Sequence, residues 1–270
     1  MREVSLANVI NTKPHAFKGG LLLCQKMCPL ISIIIPTRND AVALQQTLQQ
    51  LQQLTGIGGV EILVAASGAR RSTEQAVAGR AQLIWPASSS RSALMNSAAD
   101  VASGDILFFL HADSLPPRDA LTRIGSLLQN PRILGGAFEH RFLESTWSLR
   151  AISWINRRRY WLTRNYYGDQ GIFVRAEVFR AIGGYRNLAL MEDLDLSQRL
   201  KRRGRTVLIR EPLLTSGRRF IDRGPWRTFA FIVWLLFLHT LRLDTQRYAR
   251  RWRGRPKEYP AVDGAKPAGR

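Results

Sequence analysis

Short unbroken apolar runs alternate, in the first half of the chain, with stretches whose apolar residues recur every three or four positions. Ile31 to Ile35 is the first run, closed by Pro36-Thr37-Arg38-Asn39. Asp40 then stands where a helix cap is wanted, and Leu44, Leu48, Leu51 and Leu54 share one helical face. Gly56, Gly58 and Gly59 end that helix, and Val60 to Val64 forms a second strand. Ala65-Ala66-Ser67-Gly68 turns into a helix near 72–79, and Ala81 to Trp85 is a third short strand. A helix of about 91–102 follows Ser88-Ser89-Ser90. Ile106 to Leu110 is then apolar without interruption between Ser103-Gly104 and Pro116-Pro117, which predicts a strand buried on both faces. Strands alternating with helices make βαβ units, so the expected fold is α/β, a doubly wound and mostly parallel sheet.

The second half has a different rhythm. A helix over 118–129 stops at Asn130-Pro131, and Leu134 to Phe142 predicts a strand kinked at Gly135-Gly136. A Trp- and Arg-rich helix covers 145–163, then come the loop Tyr167 to Gly171, a strand 172–175 and a helix 176–182. Gly183-Gly184 leads to a helix from Met191 to Arg203, a strand 205–210, an irregular stretch Leu213 to Phe220 and a helix 225–250. The expected organisation is an irregular leader (1–29), one α/β domain (30–222), a C-terminal apolar and basic helix (223–253) and a disordered tail (254–270). No internal repeat is visible.

Residues 226–243 need a separate decision. Their apolar core, Phe229 to Leu238, is ten residues long, against the roughly 20 that span a bilayer. Arginines flank it. Three readings stand: a buried core helix, an interfacial helix resting on anionic lipid, or a full span.

Composition sharpens the second. Of 40 basic residues 34 are Arg, against 20 acidic ones, for a net charge of +20 over 270 residues. Arg-rich usage by itself accounts for part of this. The charge is nevertheless uneven: 199–255 holds sixteen basic and three acidic residues. Such a field attracts phosphorylated substrates or anionic lipid. Nucleic acid is not expected as a partner, because no nucleic-acid motif accompanies the charge and the basic residues do not alternate with aromatics. Cys24 and Cys28 are the only cysteines and lack a second pair for a zinc site, which fits a reducing cytosol. Lys13 and Lys18 before Leu21-Leu22-Leu23-Cys24 form too short a run for a lipoprotein signal, and Met27 is a candidate initiator.

Candidate chemistry gathers at element ends. His111 and Asp113 end the central strand, where open α/β sheets bind ligands. Asp169 lies in a Gly-flanked loop. Glu192, Asp193 and Asp195 open a helix, a position that the helix dipole favours for carboxylates whatever their function. Glu192 and Asp195, three apart, are expected on one face, with Asp193 pointing elsewhere.

Taken in order, Ser32 to Asn39, Arg91 and Asn96, Ser103-Gly104-Asp105, Leu110-His111-Ala112-Asp113, Tyr167 to Gly171, Gly183-Gly184-Tyr185 and Met191-Glu192-Asp193 resemble the family 2 glycosyltransferases of GT-A fold. The similarity runs from about Ile31 to the 240s. The His-Ala-Asp form, the loop around Asp169 and Thr215 to Phe220 resemble a bacterial subgroup labelled arsenosugar-biosynthesis-type. The resemblance implies inverting transfer of a sugar from a nucleoside-diphosphate donor to an acceptor hydroxyl, assisted by Mg2+ or Mn2+. It implies Asp113 as metal ligand, with His111 either ligating or only hydrogen-bonding. Asp193 is implied as base, with Glu192 in support. Asp169, Gln170 and Asp195 are expected in the acceptor or sugar pocket. Pro36, Arg38, Arg91, Arg218 and Arg219 are expected on the donor side. Hard cations and leaving diphosphates call for carboxylates and guanidinium forks of this kind.

Two departures from the family pattern matter. The first carboxylate of the Asp-x-Asp metal motif is His111 here, and the aspartate usual after the second strand is replaced by Ala65-Ala66-Ser67-Gly68. They motivate a rival expectation, a GT-A-fold binding or scaffold protein with impaired catalysis. The leading expectation is an enzyme of the cytoplasm, peripheral at the inner face of the cell membrane.

Overall fold

A computed structural model describes residues 29–55 and 59–253. The expected leader, apart from Pro29, and the expected tail lie outside them, as do Cys24, Cys28 and Met27. So do Gly56 and Gly58, the expected end of the first helix; that helix stops earlier, at Leu51.

The first half follows its hydrophobic pattern closely. β1 (Ile31–Arg38), α1 (Ala41–Leu51), β2 (Val60–Ser67), α2 (Arg70–Val77), β3 (Gln82–Ile84), α3 (Arg91–Val101) and β4 (Ile106–Phe109) succeed one another. All three ladders among these strands, β1 with β2, β1 with β4 and β2 with β3, are parallel. β1 shows why. Ile33 and Ile35 join the core under α1, whereas Ile34 joins the core under α3. An unbroken apolar run thus serves two layers at once. Asp40 precedes α1 without capping it through its side chain; its carboxylate instead accepts from Arg218 at 2.9 Å.

The second half adds β5 (Ser114–Leu115), α4 (Ala120–Leu128), β6 (Ile133–Phe142), α5 (Trp147–Thr163), β7 (Ile172–Arg175), α6 (Ala176–Ala181), α7 (Glu192–Arg203), β8 (Arg205–Thr215), α8 (Arg218–Arg223), α9 (Pro225–Thr240) and α10 (Ala249–Arg253). One sheet results, ordered β3-β2-β1-β4-β7-β6-β8-β5. Of its seven ladders four are parallel; β7 runs antiparallel to β4 and β6, and β5 to β8.

Three local expectations change. Gly135 and Gly136 do more than kink β6: a Cβ at either would collide with the carbonyl oxygen of Phe173 or Val207, so both glycines permit close strand approach. β8 continues to Thr215 because it pairs with β6 on one side and with β5 on the other; Leu213 to Thr215 is therefore strand, and only the remainder up to Phe220 is a turn and α8. The helix expected over 225–250 stops at Thr240. Arg242 takes a positive φ of 58°, and the chain folds back. Gln246 holds the return by accepting from Leu190 N and donating to Leu190 O, both at 3.1 Å.

α9 is apolar on two sides. Thr228, Leu235 and Leu238 are buried, while Val233, Trp234 and Phe237 are about half exposed. One of its faces packs on the protein and the other is open. No helix among the described residues is long and apolar enough to cross a membrane.

Candidate active site

The cleft opens where β1 and β4 end. β5 pairs with the end of β8, and Ser216 N donates to Asp113 O at 3.2 Å. Thr47 of α1 donates to Ala112 O at 2.8 Å. The His111–Asp113 turn is thus clamped from two directions. Burial pushes the Asp113 carboxyl above its ordinary range, even though Arg218 Nη2 lies 3.7 Å away. Burial, together with Arg91, Arg219 and His140, pushes His111 well below its ordinary value, so its imidazole is neutral. Its Nε2 contacts the Arg91 guanidinium, and its Nδ1 is 4.0 Å from Asp113.

A second group meets the first across Arg91. From α3, Arg91 Nη1 donates to Glu192 Oε1 at 3.2 Å and to Asp193 Oδ2 at 3.0 Å. Met191, at φ 66°, turns the chain into α7, and Glu192 and Asp193 of its first turn are buried. Asp193 Oδ1 has no hydrogen-bond partner among the described residues. Burial raises the Asp193 carboxyl to about 7; Arg91 opposes this, and Glu192 and Asp169 add to it. Gly168 lets the groups converge. A Cβ there would stand 2.7 Å from His111 Nε2 and closer still to Arg91 and Asp193.

The predicted residues therefore separate. Asp113, His111, Arg91, Glu192, Asp193, Asp169, Arg218 and Arg219 line one cavity of about 1190 Å³, with Pro36 and Arg38 at its β1 edge. Arg91 is held by carboxylates rather than left open for a phosphate. Arg219 lies over the Trp252 ring at 4.6 Å. Gln170 also lines the cavity, but its amide is committed to backbone: Oε1 accepts from Tyr167 N and Nε2 donates to Phe138 O. Asp195 does not reach the cleft. It accepts from Arg186 at 3.1 Å and from Arg199 at 2.7 Å. The expected facing is thus reversed: Glu192 and Asp193 share the cleft, and Asp195 points away from it.

Sequence reasoning gives no role to Gly168, His140 or Arg159. Gly168 is within its reach, since it sits in the Tyr167–Gly171 loop. His140 and Arg159 are brought in by β6 and α5 and carry no local signal. His140 is buried, with Nε2 3.6 Å from Asp169 Oδ2, too far for a hydrogen bond. The turn after β2 is tied by Asn39, whose Oδ1 accepts from Ala69 N at 2.7 Å. Beside it the Thr37 and Ser67 hydroxyls are buried without hydrogen-bond partners among the described residues.

Among the described residues no three His, Cys, Asp or Glu side chains are grouped to cage a metal ion. Asp113 presents a carboxylate at the end of β4, and Asp40, beyond the end of β1, shares Arg218 with it. That fits a hard cation such as Mg2+, which keeps several waters and shares one or two carboxylates with substrate phosphates.

The family model for glycosyl transferase family 2 matches residues 32–183, more than half of the chain. No curated protein matches. Among solved structures, a mannosyltransferase from Pyrobaculum calidifontis, PcManGT, in complex with GDP-Man and Mn2+, aligns with a TM-score of 0.60 at 17% identity, over 85% of this chain and 66% of that one. TarS from S. aureus aligns with a TM-score of 0.52 at 11% identity, over 69% of this chain and 35% of that one. A shorter TarS, residues 1–349, gives the same score and identity over 58% of its length. The chain thus spans just under two thirds of the mannosyltransferase and about a third of the longer TarS. These likenesses identify the fold as GT-A, and with the matched model over residues 32–183 the chain belongs to glycosyl transferase family 2.

Proposed function

We propose that this protein transfers a glycosyl group, with inversion, from a nucleoside-diphosphate sugar to an acceptor hydroxyl. The observation that carries this reading is Asp193: a buried carboxylate titrating at about 7, in one cavity with the Asp113 strand end. A general base works best when its acid constant lies near the working pH. Its Oδ2 is held by Arg91, which leaves Oδ1 to take the acceptor proton as the acceptor oxygen bonds the anomeric carbon and the bond to diphosphate breaks. Glu192 shares Arg91 with Asp193 and so helps fix the guanidinium against it.

Asp113, with Arg218 and Arg219, forms the diphosphate end. A divalent Mg2+ or Mn2+ bound through Asp113 would neutralise charge on the leaving diphosphate. His111, neutral and engaged with Arg91, links the two ends rather than completing a metal cage. In place of the absent turn aspartate, the unpartnered hydroxyls of Thr37 and Ser67 offer polar contacts for the nucleoside.

The test is a panel of nucleotide sugars with and without Mn2+. Turnover, or stabilisation of the fold by a nucleoside diphosphate with Mn2+, supports the enzyme. Neither effect with any donor would favour the rival, a binding or scaffold protein.

We place the enzyme in the cytoplasm, against an anionic membrane surface. Trp147, Trp154 and Trp161 are spaced by seven along α5 and are all exposed, and Trp147 lies 5.8 Å from Trp226 of α9. Exposed indoles beside arginines suit a headgroup layer. Salt-sensitive binding to anionic vesicles supports this placement, and equal recovery with neutral vesicles opposes it.

A further inference from the structure

The cavity contains a second cationic centre, distinct from the diphosphate end. Arg159 of α5 lines it together with Glu139, His140 and Tyr167. Its guanidinium lies over the Tyr167 ring at 4.0 Å. Its Nη1 is buried and makes no hydrogen bond among the described residues. The neighbouring Arg157 differs, since it forms an ion pair with Glu139. The acidic groups that bear on Arg159 are Tyr167 and Asp169, and neither forms an ion pair with it. Burial raises the Tyr167 phenol, so that ring is neutral and offers only its face.

A desolvated guanidinium without a counterion is costly to keep, because the water it has lost is not replaced by an opposite charge. The geometry of the transfer says which ligand supplies the counterion. Tyr167 precedes Gly168, which touches the Asp193 and Arg91 cluster. Arg159 therefore sits one ring from the residue that packs on the base. The groups that bear on it are Tyr167 and Asp169, whereas Asp113 and Arg91 bear on Arg219. A ligand that presents a hydroxyl to Asp193 past Gly168 has Arg159 beside it.

We infer that Arg159 marks the acceptor subsite, and that the acceptor carries an anionic group, a phosphomonoester or a carboxylate, near the hydroxyl that reacts. The inference rests on the glycosyl-transfer reading for the word acceptor; the anion site itself does not depend on it. Guanidinium forks match such groups, and an aromatic face keeps the fork flat and preorganised. Phe142, Phe229 and Ile232 also line this cavity and provide an apolar wall.

The experiment measures anion binding calorimetrically on the full chain, with GDP or UDP and Mn2+ present to fill the diphosphate end. Glycerol 3-phosphate, glycerate and glycerol are the probes. The two anions are expected to bind and glycerol not to bind. Arg159→Gln should weaken the anions at least tenfold, and Arg159→Lys should restore part of the loss. Equal binding of glycerol and glycerol 3-phosphate, or equal anion affinity in the wild type and in a folded Arg159→Gln protein, would overturn the subsite. Octyl phosphate distinguishes the source: tighter binding than glycerol 3-phosphate indicates an amphipathic acceptor, and weaker binding a water-soluble one. The same titration with inorganic phosphate and no nucleotide separates failures. If the donor reading is wrong, nucleotide fails to bind while the Arg159-dependent phosphate site persists.

Discussion

The two halves of the sheet meet at the cleft and contribute to it in different ways. On the β3-β2-β1-β4 side every neighbour is parallel, and what reaches the cleft is the carboxyl ends of β1 and β4 with Arg91 from the start of α3. On the β7-β6-β8-β5 side the strands run in both directions. The cleft there receives a loop, Tyr167 to Gly171, the first turn of α7 and the start of α8. The first half offers positions that a buried parallel strand fixes automatically. The second half offers side chains that only tertiary contacts aim. In the proposed reaction, the part of the diphosphate end that Asp113 supplies would rest on scaffold, and proton transfer at Asp193 would rest on packing.

Removing one carboxylate from each half sharpens this difference most. Asp193→Asn is expected to lower turnover by about 10²–10⁴-fold, the usual worth of a general base, while nucleoside diphosphate with Mn2+ still binds. Asp113→Asn should instead weaken that binding and make it insensitive to Mn2+. Steady-state kinetics beside calorimetry read both variants. If Asp193→Asn binds donor poorly but turns over normally once saturated, the division of labour between the halves is wrong.

How much of this could be read along the chain follows the same division. The Ile31 to Ile35 and Ile106 to Leu110 runs predict their strands because burial on both faces leaves no polar position to confuse the period. Asp113 follows from its place after such a run. Asp195 shows the limit. Spacing on a helix says which residues share a face, but not which face the fold turns inward, and Arg186 and Arg199 decide that. The Arg91 contact to Asp193 joins residues 102 positions apart, and no local pattern encodes it. The same holds for Arg159, one of several arginines on a helix, which only its burial against Tyr167 distinguishes.

A pair of glycine substitutions in the second half, one inside the cleft and one outside it, comes next in size. At Gly168 a Cβ would collide with Asp193, Arg91 and His111 at once. Gly168→Ala should cost on the order of 10²-fold in turnover, because displacements near 1 Å at reacting groups have that effect. At Gly125, in α4, an added Cβ would meet nothing within 4 Å, and the residue has no positive φ. Gly125→Ala should leave the rate unchanged and raise stability by roughly 0.5–1 kcal/mol, since alanine favours helix. Thermal unfolding and turnover on both variants give the contrast. A Gly168→Ala protein as active as the wild type would mean that the cluster around Arg91 is looser than its contacts indicate.

A smaller effect, about tenfold for each pH unit, belongs to the second half alone. Asp193 must be ionised to accept a proton, and its carboxyl is raised from an ordinary 3.8 to about 7. The rate at low substrate should therefore climb with pH up to about 7 and level off above it. Stability should move the other way. Between about 4 and about 7 the folded protein holds a proton that the unfolded chain releases, so unfolding is favoured as pH rises through that window. Paired pH series of turnover and of urea unfolding check the two signs. Asp193→Asn should flatten both, and a wild-type rate independent of pH from 5 to 8 would remove Asp193 as the titrating base.

The smallest rate effect, and the most discriminating within one helix, is expected two residues further on. Asp195 begins in the same turn of α7 as Asp193 yet faces Arg199 at 2.7 Å and Arg186 at 3.1 Å, away from the cleft. Arg199 in turn donates to the carbonyl oxygens of Ile182 and Gly184. Asp195 therefore anchors the Gly183-Gly184 turn to the helix that carries the base. Asp195→Asn removes the charge while keeping the shape. The charge-assisted bonds it weakens are each worth about 1.5–3 kcal/mol, so a loss of roughly 2 kcal/mol in stability is expected, with turnover of the folded protein changed less than about threefold. Asp193→Asn should show the opposite profile, losing rate and keeping or gaining stability because it removes a carboxylate whose charged form burial disfavours, while Glu192 still pairs with Arg91. If instead Asp195→Asn loses turnover in step with Asp193→Asn at temperatures well below its unfolding, then the two carboxylates act together. Anchoring by Arg199 would then be part of the chemistry rather than its support.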